Sequence, residues 1–281
     1  MYNPVYTQAF YDAYGTREWS RLEATAYGRL QAIIHADFIE RYLRPPGDRV
    51  LDAGCGPGRF AIAIAQLGGR VTALDLSQQQ LDLARERLAE AGLLDRVEGF
   101  VEGDVAQLSM FADGQFDVVV CYGGALSYVC ERRHEAAAEL VRVARPGGVL
   151  LISVMSRFGA AANNVRRPFT PVLQDPEGWH LWRLLEQGDL PGFPSSSGMQ
   201  HPPMHLYSAA ELQSLFRDVG CQVLEIAGSN VAAFEGSSGF EEVAADPKAW
   251  STAIDLERSL NRVPGLLDSG SHIILAARRL S

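Results

Sequence analysis

The chain has 281 residues, 47% of them hydrophobic, and a formal net charge of −9. That size and balance suit a soluble globule with a full-sized core. The acidic excess argues against long contact with RNA or DNA, which depends on clustered Lys and Arg to displace counterions. Cys55, Cys121, Cys130 and Cys221 are widely spaced with no C-x-x-C pair, so neither a zinc knuckle nor a disulfide framework is indicated and a reducing compartment fits best. The N-terminus has no basic start followed by an apolar run, and no apolar stretch approaches the roughly 20 residues that span a bilayer. A soluble, cytoplasmic protein is expected.

In chain order, a Tyr-rich N-terminal segment precedes Leu22 to Leu43, where apolar residues recur at helical spacing until RPPGD stops the helix. From Arg49 short β-rich runs alternate with helical patterns. RVLDAG leads to FAIAIAQLGG, RVTALDLS to QQQLDLARERLAEAG, and FDVVVCY to a helix near His134 to Ala144, with RVEGFVEGD and GGVLLISVM as further strands. Such alternation predicts parallel strands joined by crossover helices. Ser77 is placed to cap the second helix, and Gly92 to end it in a left-handed turn. Beyond Met155 about fifty residues rich in Pro, Gly and aromatics read as a lid, a binding segment or a disordered stretch. SAAELQSLFRDVG then predicts a capped helix closed by Gly220, followed by the strand CQVLEIAG, a helix around Pro247 to Asn261 and the last strand SHIILAARR.

The turn after the first strand, Gly54, Gly56, Pro57, Gly58, brings backbone N–H groups and a helix N-terminus close to a ligand. It departs from the dinucleotide fingerprint because Arg59 holds the position of the third glycine. Asp52, just before the turn, would repel a pyrophosphate but favour an ammonium group. Asp75 ends the second strand, where an acid accepts from both hydroxyls of a ribose. Asp104 ends the third, suited to an exocyclic amine. The set implies an amine, a ribose and a base without phosphates.

VLDAGCGPG (Val50 to Gly58), ALDLS (Ala73 to Ser77), EGDV (Glu102 to Val105), FDVVVCYGGALSYV (Phe116 to Val129) and RPGGVLLIS (Arg145 to Ser153) resemble the successive motifs of class I S-adenosylmethionine-dependent methyltransferases. The resemblance implies an α/β fold with a doubly wound, seven-stranded, mostly parallel sheet and an antiparallel last strand. It implies four parts: an N-terminal helical lid over 1–48, a cofactor-binding core over 49–155, an inserted lid over 156–205 and the rest of the core sheet over 206–281. By the same resemblance Asp52, Gly54 and Gly56 hold the methionine moiety of S-adenosylmethionine, Asp75 with Leu76 the ribose, and Asp104 with Val105 the adenine. Cys121 and Tyr122 line the floor near the methyl group, and S-adenosylhomocysteine is the product. The start YTQAFYDAYGTREWSRLE resembles the leading segment of many small-molecule methyltransferases, which folds over the cofactor. Tyr6, Tyr11, Tyr14 and Arg17 would close the site, or else pack a leading helix.

No catalytic signature is obligatory, because the cofactor supplies the electrophile and the protein chiefly positions the nucleophile. If a general base is needed, His180, His201 and His205 lie in the lid segment and its exit. His205 is favoured because it precedes the returning helix, although it also suits a cap on that helix. Pro202 and Pro203 deny His201 and His205 regular helical geometry, so no metal site is expected. Cys121-Tyr122-Gly123-Gly124 matches neither the [DN]-P-P-[YF] motif of nucleic-acid amino-methyltransferases nor a Pro-Cys nucleophile. A small-molecule acceptor is therefore expected. Its pocket would draw on Tyr122, Trp179, His201 and Met204 with Phe158, Phe169, Trp182, Phe193 and Met199, unless these aromatics form the lid's own core, and Arg166 and Arg167 would meet an acidic group. A tRNA or protein methyltransferase on the same fold and a non-catalytic cofactor sensor remain alternatives, and monomer and homodimer are both open.

Overall fold

The computed structural model describes residues 1–44, 46–166, 179–194, 199–233 and 236–281. Three helices come first: α1 (Pro4–Tyr14), α2 (Arg17–Arg21) and α3 (Ala26–Tyr42). Alternating strands and helices follow as β1 (Arg49–Ala53), α4 (Arg59–Gln66), β2 (Arg70–Asp75), α5 (Gln78–Glu90), β3 (Val97–Glu102), β4 (Phe116–Cys121), α6 (Ala125–Tyr128), α7 (Arg133–Val143) and β5 (Ala144–Met155). The next segment holds α8 (Arg157–Arg166), α9 (Trp179–Gln187) and four two-residue strands: β6 (Asp189–Leu190), β7 (Phe193–Pro194), β8 (Gln200–His201) and β9 (Met204–His205). The chain then completes the sheet with α10 (Ala209–Asp218), β10 (Cys221–Ser229), α11 (Ser238–Ala245), α12 (Pro247–Leu260) and β11 (His272–Arg279).

Seven strands form one sheet in the order β10-β11-β5-β4-β1-β2-β3, with β11 antiparallel to both of its neighbours and the β1, β2, β3, β4 and β5 pairings parallel. The connections run outward from β1 in both directions. The carboxyl ends of β1 and β4 are thus the point where strand order reverses and a crevice opens for a ligand.

Alternate residues of the central strands enter opposite layers, as helices on both faces require. Leu51, Val119, Leu150 and Ile152 pack with α7 and α10 on one face, and Val50, Val118, Val120 and Leu151 pack with α3, α4 and α5 on the other. The expected helix ends hold chemically. The Ser77 hydroxyl accepts from the Gln80 N–H and the Ser208 hydroxyl from that of Glu211, while Gly92 and Gly220 have φ of 69° and 89°. The helix expected over Leu22 to Leu43 starts later, at Ala26, because Thr25 caps it by accepting from the Gly28 N–H.

The segment after Met155 is more regular than its Pro and Gly content suggested. Leu184, Leu190, Met204 and Leu206 are buried with Tyr128 and Ala161 in a third cluster, which explains why α8 and α9 form there. Phe158 and Trp182, expected to line a pocket, are instead 43% and 60% exposed. Arg167 and Phe169, and the side chains of Arg166, Trp179 and His180, lie outside the described residues. Among the described residues, no helix is long and apolar enough to cross a membrane.

Phe216 on α10 is fully buried against the sheet. Phe216→Ala is expected to lower the unfolding free energy by about 3–5 kcal/mol, read as a fall in the urea midpoint at unchanged slope.

Candidate active site

The site is built from the turn that follows β1. Gly54 takes φ +78°, and a Cβ there would lie 2.6 Å from the Ala125 Cβ, so both the conformation and the close approach of α6 call for glycine. The Gly54 and Cys55 N–H groups donate to the Leu74 carbonyl at 2.7 and 2.9 Å, which fastens the turn to the end of β2. Asp75 is fixed in turn, accepting from the Gly56 N–H at 2.8 Å and the Ser77 N–H at 2.9 Å.

Two acids here are out of balance with their surroundings. Asp52 is 1% exposed, and its Oδ2 has no hydrogen-bond partner among the described residues. Burial, together with the nearby Asp75 carboxylate, pushes its carboxyl up to about 7. Burial raises Asp75 to about 6, a shift held back by the Ser77 and Gly56 N–H groups. The Ala61 N–H donates to Asp52 and opposes the rise of that carboxyl, but a buried acid with one oxygen unpaired is costly unless a cation or donor arrives.

Above these residues lies a pocket at the carboxyl ends of the strands. One wall is Gly54, Gly56, Asp75 and Leu76, and the next is Gly103, Asp104 and Val105 from the end of β3. The segment after β4 supplies Tyr122, Gly123, Gly124 and Ala125, with Tyr128 and Val129 behind. Tyr2, Thr7, Tyr11 and Glu18 form the roof. That roof is pinned to α5, since the Ser77 hydroxyl donates to Asp12 and the Gln80 side chain donates to the Tyr11 and Gly15 carbonyls at 3.1 Å each. At the far end Asp104 accepts from the Ala106 N–H at 2.8 Å and lies beside the Tyr2 phenol, whose ionisation burial and that carboxylate both oppose.

Several expected residues stand elsewhere. His205 does not reach the pocket: it is 1% exposed, with Nδ1 2.8 Å from Asp189 and Nε2 2.6 Å from Glu211. Both ring nitrogens are held by carboxylates, and Glu211 also pairs with Arg157, so the cluster ties β9 to α10 rather than supplying a base. Cys121 is fully buried on the α7 side of β4, its thiol pushed up to about 12 by burial, and the wall is made by Tyr122 alone. Tyr14 stacks on Phe10 and carries Arg17 5.8 Å above its ring, and neither residue lines the pocket. Met204 belongs to the cluster under the lid. Trp179 opens α9, but its side chain lies outside the described residues.

His201 sits one layer behind the wall, stacked on Phe193 at 4.6 Å. Its Nδ1 faces the Pro202 carbonyl at 3.0 Å and so carries the proton, which leaves Nε2 to accept from the Tyr128 hydroxyl at 3.1 Å. Tyr11 meets Tyr128 edge to face at 5.6 Å and hydrogen-bonds it. A line of polar groups thus runs from the roof through Tyr128 to a histidine that burial keeps neutral.

Sequence reasoning missed Glu18, Thr7, Tyr2 and Tyr128. Glu18 carried a signal, since Glu18 and Arg21 stand at the i, i+3 spacing of a helical ion pair and do pair, at 2.6 Å.

A family model described as "Methyltransferase domain" matches residues 50–148, from β1 into β5. The chain is 40% identical over 129 residues to a malonyl-[acyl-carrier protein] O-methyltransferase of Serratia marcescens, covering 44% of this chain and 47% of that protein. Thus the chain spans about half the length of the malonyl relatives it matches. It is 30% identical over 197 residues to a ubiquinone biosynthesis O-methyltransferase of Xanthomonas axonopodis pv. citri (strain 306), covering 69% of this chain and 71% of that protein. In fold it is similar to a chain of the complex between the Haloferax volcanii Trm112 methyltransferase activator and its methyltransferase partner, at a TM-score of 0.64, 19% identity and 98% coverage of both chains. With five ordered motifs, this sheet and these relatives, the chain belongs to the class I S-adenosylmethionine-dependent methyltransferase family.

Proposed function

We propose that this protein transfers the methyl group of S-adenosylmethionine to a small-molecule acceptor. The observation that carries the reading is Asp52, a buried acid with an unpartnered oxygen under the glycine turn. Such an acid suits the ammonium of the cofactor's methionine part, with Gly54 and Gly56 leaving room for it. Asp75 and Leu76 would take the ribose, and Asp104 and Val105 the adenine. When bound, the cofactor supplies a methyl group on a positively charged sulfur, open to in-line displacement.

The chain's own residues do the rest. The roof of α1 and α2 excludes water, and Tyr11, Tyr122 and Tyr128 give the acceptor an aromatic wall. His201, not His205, is placed to receive a proton: Tyr128 would pass its own to Nε2 while taking one from an acceptor hydroxyl. Two curated relatives named as O-methyltransferases support transfer to oxygen. The acidic net charge and the roofed pocket favour a small acceptor over tRNA or protein.

Calorimetry is expected to find S-adenosylhomocysteine bound, and Asp52→Asn to weaken it at least tenfold. The same substitution should stabilise the empty protein. The carboxyl stands at about 7 folded against an ordinary 3.8, so the folded chain retains a proton that the unfolded chain loses. That costs stability as pH rises from about 4 to about 7, with the full cost present above, so Asp52→Asn should raise the Tm most at pH 8. Incubation with S-adenosylmethionine and a panel of small phenols and carboxylic acids, followed by mass spectrometry, should show a methylated product. Binding with no product across the panel would point instead to a cofactor sensor.

A further inference from the structure

Beyond the cofactor pocket, α2 carries a cation toward a second group of buried polar residues. The charged residues among those lining the pocket are Glu18, Asp75 and Asp104, all acids. Arg21, one turn past Glu18, grips it with Nε at 3.2 Å from both carboxylate oxygens and an Nη at 2.6 Å from one. Glu18 in turn lies over the glycine turn, where a Cβ on Gly56 would be 3.8 Å from its Cγ.

The position of Arg21 is set by the backbone. Its carbonyl abuts α3 so closely that a Cβ on Gly28 would come within 2.5 Å of it. Gly28, Gln31 and His35 follow one another along one face of α3. There the His35 Nδ1 donates to the Gln31 carbonyl and its Nε2 accepts from the Ser153 hydroxyl, each at 2.8 Å, and the Gln31 amide approaches the His272 ring at 3.2 and 3.3 Å. Ser153 and His272 belong to the carboxyl end of β5 and the start of β11, the side of the crevice away from Asp75 and Asp104. The Tyr122 hydroxyl joins this group by donating to the His35 carbonyl at 3.3 Å.

Burial lowers both imidazoles, His35 to about 4, and the Arg21 charge adds to both shifts. Arg21 also faces Tyr11 and Tyr128. The Arg21 side chain, 39% exposed, thus has Glu18 as its counter-ion and these neutral groups within reach of its charge.

We infer that Arg21 is the anchor for an acidic group on the methyl acceptor, released for that role when the cofactor's cationic end draws Glu18 away. This rests on the reading of the adjoining pocket as the cofactor site. A planar guanidinium suits a carboxylate through two parallel hydrogen bonds. Because Glu18 serves both partners, cofactor and acid bind with positive coupling, and the coupling is reciprocal. The acceptor is then a small organic acid with an apolar or aromatic body against Tyr11, Tyr122 and Tyr128.

The test compares phenylacetate with phenylacetamide, two probes of the same shape that differ in charge. Calorimetry on the protein saturated with S-adenosylhomocysteine should give phenylacetate at least a tenfold advantage. The advantage should be lost in Arg21→Gln, largely kept in Arg21→Lys, and present without cofactor in Glu18→Gln. Arg21→Gln should leave the affinity for S-adenosylhomocysteine itself unchanged or raised, since Glu18 is then free for the ligand's cation. If the saturated protein binds the two probes equally or binds neither, the inference is overturned while the cofactor reading stands. A tenfold or greater loss of S-adenosylhomocysteine in Arg21→Gln also overturns it, because Arg21 would then hold the cofactor's own carboxylate. Absence of S-adenosylhomocysteine binding by the unsubstituted protein would instead strike the proposed function.

Discussion

The site depends on one half-satisfied buried acid. Asp52 ends buried in the strand layer with an oxygen that nothing among the described residues satisfies, and Asp75 on the neighbouring strand adds repulsion. Parallel pairing sets Asp52 opposite Ala73, two residues before the end of β2, so the two acids lie near each other at neighbouring strand ends, and the glycine turn between them leaves space rather than a side chain. A buried acid whose ionisation its surroundings oppose suits a cation. The remaining architecture shapes the pocket above it.

The roof makes the arrangement more than a static cradle. α1 is bound to the N-terminus of α5 through Asp12, Ser77 and Gln80, so the helix that follows Asp75 also carries the cover. Glu18 and Arg21 extend the cover toward the end of β5. The same short helix thus lines the pocket with Glu18 and holds that acid with Arg21, one turn on, in a single ion pair.

Where chemistry and sequence neighbourhood coincide, the site was legible before the structure. The glycine turn, Asp52, Asp75 and Asp104 each stand within a few residues of a strand end, and the strand pattern alone locates those ends. Tyr122 followed from the same logic, but Cys121 did not, because alternation along β4 turns it to the opposite face. Tertiary partners decided the rest. His205 looked free beside its helix, yet Asp189 and Glu211 converge on it across the fold. His35 and His272 are 237 residues apart and read singly as ordinary core histidines, while the 1% and 3% exposures they share around Gln31 come only from the crossing of α3 over β11. The aromatic residues of the lid gave a false signal for a similar reason. Amphipathic α8 and α9 turn their leucines and alanine inward and leave Phe158 and Trp182 outside.

The most direct measurement is the proton balance of S-adenosylhomocysteine binding, obtained by calorimetry in buffers of different ionisation enthalpy. With the Asp52 carboxyl at about 7 in the empty protein, pairing with the ligand's ammonium should expel roughly half a proton at pH 7. Binding heats that do not depend on the buffer at pH 7 would contradict the account, because Asp52 would then be charged already or would play no part in holding the ligand.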